Sequence, residues 1–483
     1  MCPTHIGTEG LAPDERDEFP FWIGTGDGDE LRQPSLVVPI QHQELVAWLK
    51  EHPRSDHWQK DHWQQHCRDN FPTAACALYT LSSENEWPTD RWREALQAWA
   101  EEGLLKKSWR FVAKVIGAAP DPVVRNLKHP LSWFLKAQAK TFVSHEAQFF
   151  FLSGRLLELT CEGDLTADDD PVSLAINHPI GHTTEALLYW WYRQNPREGQ
   201  GLPEKVKTLF TSVCNTQVSN YRHGRVILAA HAIALFRGDE EWTKTYLLPI
   251  FDWNKSEVEA GAAWEGFLWS PSLYGPLLLV IKPSMITAAS HYVRLGKHAE
   301  QFAAFLTFAA LDPGVIFTTK ELAQAIRELP LEGLQSAAQT LVRAFEGAGD
   351  QREEYWHNRV LPYWKSIWPK STEANSPAIS RNLARLCVAS RKLFPEVLQE
   401  LRHWLQPIQD PGYILSQLHE TEICREFPNE ALEFLSIIVG NSAQWISEEL
   451  QECLHQINRA DPKLLKKPSL VRLTDLVRRF QSH

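Results

Sequence analysis

Apolar side chains recur along much of this sequence at the three- and four-residue spacing of a helix face. Residues 92–99, 397–405 and 431–438 are three such stripes. We find no stretch that alternates between apolar and polar residues beside a hairpin turn, as a half-buried strand would. The pattern therefore predicts an all-α protein of roughly two dozen helices joined by short links, which favours helical hairpins.

Two helix starts carry the signature of a capping box. Ser256 is followed three residues later by Glu259, and Thr318 by Glu321. In a capping box the hydroxyl accepts from the backbone N–H of the third residue, and the carboxylate accepts from the N–H of the hydroxyl residue. Both pairs therefore predict that a helix begins at this point.

The dipeptide Phe-Pro occurs at residues 71–72, 394–395 and 427–428 and is expected to open a helix each time. The last two occurrences lie 33 residues apart, and apolar positions correspond across that offset. This is the length of one helix-turn-helix repeat. Together with the helical stripes, it predicts an α-solenoid-like stack of antiparallel helix pairs, similar to HEAT or TPR arrays.

Charge and aromatic content divide the chain into four predicted parts. Residues 1–35 form an acidic extended lead-in, and residues 36–346 form a Trp-rich helical array. Residues 347–460 carry the C-terminal helical repeats. Residues 461–483 form a basic amphipathic helix that covers the end of the stack or touches an acidic partner.

The net charge of −11 argues against a general nucleic-acid binder, whose affinity would come from clustered Lys and Arg. The eight cysteines contain no CxxC pair, and most lie in apolar helical runs, which suits reduced thiols in a cytosol. We see neither a signal peptide nor an apolar run long enough to span a bilayer. The sequence predicts a cytoplasmic protein that does not enter the membrane.

His178, His182 and Glu185 are the candidates for chemistry. His182 and Glu185 are three residues apart at the start of a predicted helix, so they would share a face. Such a pair can bind a metal or do acid–base work. The alternative interpretation is structural, with the histidines capping and bracing a loop.

Arg222 and Arg225 are also three residues apart and could hold a carboxylate or phosphate as a weak anion site. The commoner outcome for such a pair is an ion pair with acidic groups on a neighbouring helix.

Aromatic residues nominate a surface for a protein partner. Trp264, Glu265 and Trp269 belong to a segment that is rich in Trp and Pro, and Trp356, Trp364 and Trp368 form a second group. Large aromatics beside prolines make a rigid corner, and they also supply the hot spots of protein interfaces. We expect both roles in these segments.

Catalytic motifs are absent. The sequence has no GxxxxGK[ST] loop, no GxGxxG after a strand and no GxSxG elbow. We therefore expect no cofactor and favour a non-enzymatic protein.

Several segments carry a family resemblance: WEGFLWSP at 264–271, RHGRVILAAH at 222–231, EYWHNRVLPYWKSIWPK at 354–370 and the last two Phe-Pro helices. In these the chain resembles a helical region from the C-terminal part of large bacterial anti-phage defence proteins, which begin with a sirtuin-like NAD-consuming domain. The resemblance covers roughly residues 40–460. No sirtuin domain is present in this sequence. The resemblance implies a sensor that binds a phage component and releases an enzyme.

The expected function is thus a protein-binding helical scaffold, a sensor or regulatory subunit in bacterial defence. Its partner would be a phage component or an effector encoded nearby, an NAD-consuming one on the resemblance. One alternative is a metal-assisted hydrolase that uses His178, His182 and Glu185. A second is a nucleic-acid-binding helical repeat that uses Arg222, Arg225 and the C-terminal basic helix.

Overall fold

The computed structural model describes residues 36–54, 61–142, 144–161, 170–312, 314, 316–371, 374–440 and 448–481. These residues are almost entirely helical. Across these ranges no β-strand occurs, and one isolated bridge joins Leu36 and Asp61. The all-α prediction is confirmed. The predicted lead-in, residues 1–35, lies outside the described residues.

The chain divides into two compact units, Met1–Pro130 and Leu131–His483. Six helices of the first unit are α1 His42–Glu51, α2 Trp63–Asp69, α3 Phe71–Ser83, α4 Thr89–Trp99, α5 Glu102–Val115 and α6 Asp121–Asn126. Helix α7, Lys128–Gln138, contains the point of division.

The core of the first unit is built on buried tryptophans. The predicted stripe of α4 is confirmed, since its four apolar residues are all fully buried. Trp99 donates its indole N–H to the carbonyl of Cys67 at 3.1 Å, and Trp63 donates to the carbonyl of Arg91 at 3.0 Å. These bonds join α4 to α2, because each buried indole needs an acceptor.

The second unit holds the remaining helices. They are α8 Glu146–Thr160, α9 Pro171–Asn177, α10 Pro179–Arg193, α11 Glu204–Val213, α12 Arg222–Ala230, α13 Ala232–Gly238, α14 Glu240–Trp242, α15 Glu257–Trp269, α16 Gly275–Ala288, α17 Ala299–Leu311, α18 Thr319–Glu328, α19 Leu331–Gly347, α20 Arg352–Tyr355, α21 Leu361–Ser366, α22 Pro377–Ala389, α23 Phe394–Leu401, α24 Gly412–Glu420, α25 Ile423–Glu426, α26 Pro428–Ile438, α27 Glu448–Ala460 and α28 Pro468–Gln481.

Tighter and wider helical turns link several of these elements. The 3₁₀ segments are Ile116–Ala118, Ser219–Tyr221, Leu248–Phe251, Ala289–His298, Gly349–Gln351, Arg391–Leu393, Arg402–Trp404 and Pro462–Lys466, and the π-helical turns are Thr243–Leu247 and Trp356–Val360.

Helices of the second unit pack mainly on helices two or three places away in the chain. Such contacts join α8 to α10, α10 to α12, α12 to α15, α17 to α19, α19 to α22, α22 to α24 and α24 to α27. Contacts of this kind are local in sequence, as in hairpins and their stacks.

The two predicted capping boxes differ in outcome. At Thr318 both reciprocal hydrogen bonds are present. The Thr318 hydroxyl accepts from the backbone N–H of Glu321 at 3.2 Å, and the backbone N–H of Thr318 donates to the Glu321 carboxylate at 2.8 Å. At Ser256 the hydroxyl accepts from the N–H of Glu259 at 3.3 Å, but the Glu259 carboxylate bonds to arginines of α12 instead. The second prediction is therefore wrong in its carboxylate half.

The Phe-Pro dipeptides open helices α3, α23 and α26 as expected, with Pro in the first turn of each. Phe394 contacts Phe434 edge to face at 5.5 Å between ring centroids, so α23 and α26 pack together. The 33-residue interval between the last two dipeptides contains three α-helices, α23, α24 and α25. This is one more than a two-helix repeat would hold.

Helix α19 ends at Gly347, and α27 ends at Ala460; the predicted division into four parts stays a prediction. The basic helix α28 packs on α26 and α27 through Leu470, Leu473, Leu476 and Val477, which are buried. Within the described ranges, no helix combines the length and apolar character that crossing a membrane requires.

Candidate functional site

Trp264 and Glu265, predicted to contact a partner, lie inside the protein. Trp264 is fully buried and donates its indole N–H to the carbonyl of Phe251 at 3.3 Å. Its ring meets Phe267 and Phe302 edge to face. The prediction of a contact surface is corrected for these two residues, because the chain's own core covers them.

The second Trp group is also part of the core. Trp356, Trp364 and Trp368 are each at most 2% exposed. Trp364 stacks on Trp368 at 5.4 Å between ring centroids, and the ammonium of Lys370 lies 4.0 Å from the Trp364 ring. Burial lowers the pKa of Lys370 to about 8. The contact-surface prediction is corrected here as well, since the chain fills this face with its own groups.

Trp269, unlike the buried tryptophans of both groups, is 46% exposed. It is the last residue of α15, and the backbone leaves helical geometry at Ser270. Pro271 explains the stop, because the residue before a proline is pushed out of the α region. Leu273, four positions further on, is equally exposed at 46%.

Helix α16 follows directly and carries two apolar stripes. One stripe, Leu277, Ile281, Met285 and Ala288, is buried. A second stripe at i, i+3, i+4 and i+7, consisting of Pro276, Leu279, Val280 and Pro283, faces outward. Leu279 is 61% and Val280 37% exposed. A surface helix ordinarily places polar residues opposite its buried stripe, so the exposed apolar stripe of α16 is unusual.

We call the exposed residues Trp269, Leu273, Pro276, Leu279, Val280 and Pro283, which follow one another in the chain, the apolar face. Helix α16 also has one irregular backbone position. Pro283 has no N–H, so the carbonyl of Leu279 cannot receive the usual hydrogen bond from four residues ahead.

Polar groups flank the apolar face. Lys282 of α16 pairs with Glu321 of α18 at 2.8 Å, and Tyr274 donates its hydroxyl to Glu198 at 3.0 Å. The hydrogen bond from Lys282 and those from Thr318 lower the pKa of Glu321 to about 2, so this carboxylate stays charged. An apolar centre with a charged rim is the composition of a protein interface.

Helix α15, which ends in Trp269, is held tightly against α12. A side chain at Gly266 would place its Cβ 2.4 Å from the carbonyl oxygen of Val226. Glu259 accepts from Arg222 at 2.9 Å and from Arg225 at 2.8 Å. The two arginines therefore form an ion pair with a neighbouring helix, which was the alternative to an anion site.

His182 and Glu185, the candidates for metal or acid–base chemistry, have separate partners. His182 is buried, with its Nδ1 3.3 Å from the Ser132 hydroxyl and its Nε2 2.7 Å from the carbonyl oxygen of Ile176. Glu185 pairs with Lys136 at 2.5 Å. Within the described part of the chain, no group of three or more His, Cys, Asp or Glu residues could hold a metal ion.

His178 caps α10, because its Nδ1 accepts from the backbone N–H of Ile180 at 3.2 Å. Its ring stacks on His223 at 4.0 Å between centroids. Burial, and then Arg222 and Arg225, lower the pKa of His223 to about 4. The capping contact of His178 is the bracing role of the structural interpretation.

Five residues of the apolar face were not among the partner contacts predicted from the sequence: Leu273, Pro276, Leu279, Val280 and Pro283. The signal that could have found them is the second apolar stripe of α16. A helix with one buried stripe needs polar residues opposite it, and this sequence places Pro, Leu, Val and Pro there.

The chain is distantly similar to an uncharacterized protein, y4cA, of Sinorhizobium fredii (strain NBRC 101917 / NGR234). The two are 21% identical over 479 residues, which cover 93% of this chain and 38% of the relative. The chain thus spans well under half of that relative's length. No family model and no solved structure matches the chain.

Proposed function

We propose that this chain is a helical scaffold that docks a partner protein on the apolar face. The observation that carries the proposal is the exposed stripe of α16, together with exposed Trp269 and Leu273, which directly precede this helix in the chain. Scattered apolar residues are normal on a surface, whereas a group with a polar rim is typical of an interaction site. A Trp among aliphatic side chains also matches the make-up of interface hot spots.

The occupant we propose is a protein domain. Burying an exposed Leu such as Leu279 yields about 1.5–3 kcal/mol, so several such residues supply the centre of an interface. The distant relative adds support, because there a similar stretch is one part of a much longer polypeptide. A domain that is joined to the scaffold in one protein can be a separate partner in another.

We further propose that the helices of the second unit form a solenoid-like stack of antiparallel pairs, the finer arrangement expected from the sequence. Its support is the packing of helices on neighbours two or three places away. A stack of this kind would hold α16 on a rigid support. Helix α16 packs on the 3₁₀ segment Ala289–His298, and this segment is packed against α15.

The biological role we propose follows the family resemblance: a regulatory subunit or sensor in bacterial anti-phage defence. We take an effector protein encoded beside this chain as the occupant of the apolar face. On the resemblance, that effector consumes NAD. A phage component is the other partner that the resemblance implies.

The test is co-expression of the full chain with the protein encoded next to it, followed by size-exclusion chromatography with light scattering. We expect a stable complex with the wild-type chain. The double variant Leu279→Glu, Val280→Glu should lose it, since two buried charges would face an apolar partner. Val471→Glu, on exposed Val471 of α28, is the matched control and should keep the complex.

Thermal unfolding of all three chains checks that the substitutions leave the fold intact. A complex that survives the double variant would contradict the docking role of the apolar face. The wild-type chain could instead fail to bind the protein encoded beside it and bind a purified phage protein through the apolar face. That result would contradict the role as a regulatory subunit and support the role as a sensor.

A further inference from the structure

A cavity of about 180 Å³ lies where α19, α20, α22 and α24 meet. Three arginines and one carboxylate line it: Arg352, Arg385, Arg391 and Glu346. At neutral pH these groups leave a local excess of two positive charges. The excess is notable in a chain whose net charge is −11.

Arg385 is fixed in place but is not fully satisfied. Its Nη2 lies 3.1 and 3.2 Å from the two carboxylate oxygens of Glu346, and its guanidinium carbon lies 5.6 Å from the ring centroid of Tyr413. Its Nε, however, is buried and has no hydrogen-bond partner within the described part of the chain.

Arg352 shows the same feature on the other side of Glu346. Its Nη2 reaches the backbone carbonyl of Glu346 only at 3.5 Å, and its Nε is likewise buried without a partner among the residues described. The one carboxylate of the cavity is therefore already bound by Arg385, and the lining holds more guanidinium groups than acidic acceptors. An anion is the ligand that matches this surplus.

Arg391 brings the third charge from the junction of α22 and α23. Its φ is +50°, in the left-handed region that favours Gly or Asn. Its side chain is exposed, and no carboxylate pairs with it across the described ranges. A long cationic side chain thus occupies a position where the backbone alone would favour a smaller residue.

We propose that this cavity binds the phosphate group of a small molecule. The planar guanidinium fork matches phosphate oxygens, and a phosphate dianion balances the two excess charges. The volume accommodates the phosphate end of a ligand and leaves the remainder outside. There Tyr413, which is 62% exposed, offers a ring on which a planar group can stack.

The experiment is isothermal titration calorimetry of the full chain with two probes, inorganic phosphate and adenosine monophosphate. We expect saturable binding to the wild-type chain. Arg391→Asn should weaken it about tenfold or more, the usual effect of losing one charge-assisted hydrogen bond. Asn suits the left-handed backbone, so the fold should survive, and an unchanged melting temperature will confirm this.

Arg381→Asn is the matched control. Arg381 lies on the same helix as Arg385, is exposed and is not part of the cavity wall, so its loss should leave affinity unchanged. Tighter binding of adenosine monophosphate than of phosphate would identify a nucleotide-like ligand, and equal affinity would identify the phosphate group alone. Absence of saturable binding to the wild-type chain, or equal losses in both variants, would overturn the proposal.

Discussion

Glu259 shows how one residue serves a different purpose from the one its sequence position predicts. Its carboxylate leaves the start of α15 and bonds to Arg222 and Arg225 of α12. Arg225 is 1% exposed and also donates to backbone carbonyls, among them that of Asn215 at 2.9 Å. A buried guanidinium needs a counter-charge and acceptors, and this requirement outweighs the local capping bond.

Removing the charge of Glu259 should therefore be costly. Glu259→Gln leaves Arg225 buried without its counter-charge, and we expect a loss of about 3 kcal/mol in the free energy of unfolding. Glu257→Gln, on the same helix but half-exposed, is the control and should change stability by less than about 0.5 kcal/mol. Urea denaturation measures both. Equal effects would mean that the ion pair does not stabilise the fold.

Individual tryptophans could be predicted as important but not assigned to core or surface. Trp264 and Trp269 are five residues apart, which is about 140° around a helix, so they could not share one face. Trp264 is covered by Phe251 and Phe302, whereas Trp269 is the last residue of its helix and is exposed to solvent. Which of the two faces inward depends on helices distant in sequence, and no local pattern contains that information.

At the scale of elements, the contact of α12 with α15 depends on a glycine. Gly266 lets the backbone of Val226 approach α15, since an added Cβ would lie 2.4 Å from the Val226 oxygen. Backbone cannot move aside as a flexible side chain can. This close approach also positions the end of α15, where Trp269 emerges.

Gly266→Ala should accordingly destabilise the protein by about 2 kcal/mol or more, despite the higher helix propensity of Ala. The matched variant is Gly103→Ala in α5, where an added Cβ meets nothing within 4 Å. There the change should be neutral or stabilising by up to about 1 kcal/mol. Chemical denaturation decides between them, and a stabilised Gly266→Ala would contradict the close helix contact.

Elements were the best-predicted level of the structure. Confirmed are the features that depend only on neighbours within one or two turns. They are the stripes at 92–99 and 431–438, the Phe-Pro helix starts and the Thr318 capping box. The 33-residue interval holds three α-helices where a repeat unit would hold two. The sequence period indicated the length of that interval but not the turns within it, which depend on tertiary packing.

At the scale of the whole molecule, the apolar face is one apolar region that the described part of the chain leaves uncovered. The sequence predicted a helix and a rigid corner in this segment, but it did not predict that the side chains are exposed. An apolar helix has the same sequence pattern whether one or both of its faces are buried. We propose that a partner protein covers Leu279, Val280 and Trp269 and reaches the carbonyl that Pro283 leaves without its helical donor.

Hydrogen exchange of the complex against the free chain tests this claim most directly. Amides at residues 275–288 should exchange more slowly once the partner protein is bound, because docking on the outer stripe suppresses opening of α16. Amides of α28, which carries the control position Val471, should be unaffected. A stable complex in which α16 exchanges as fast as in the free chain, with protection confined to other helices, would contradict the docking of a partner on the apolar face.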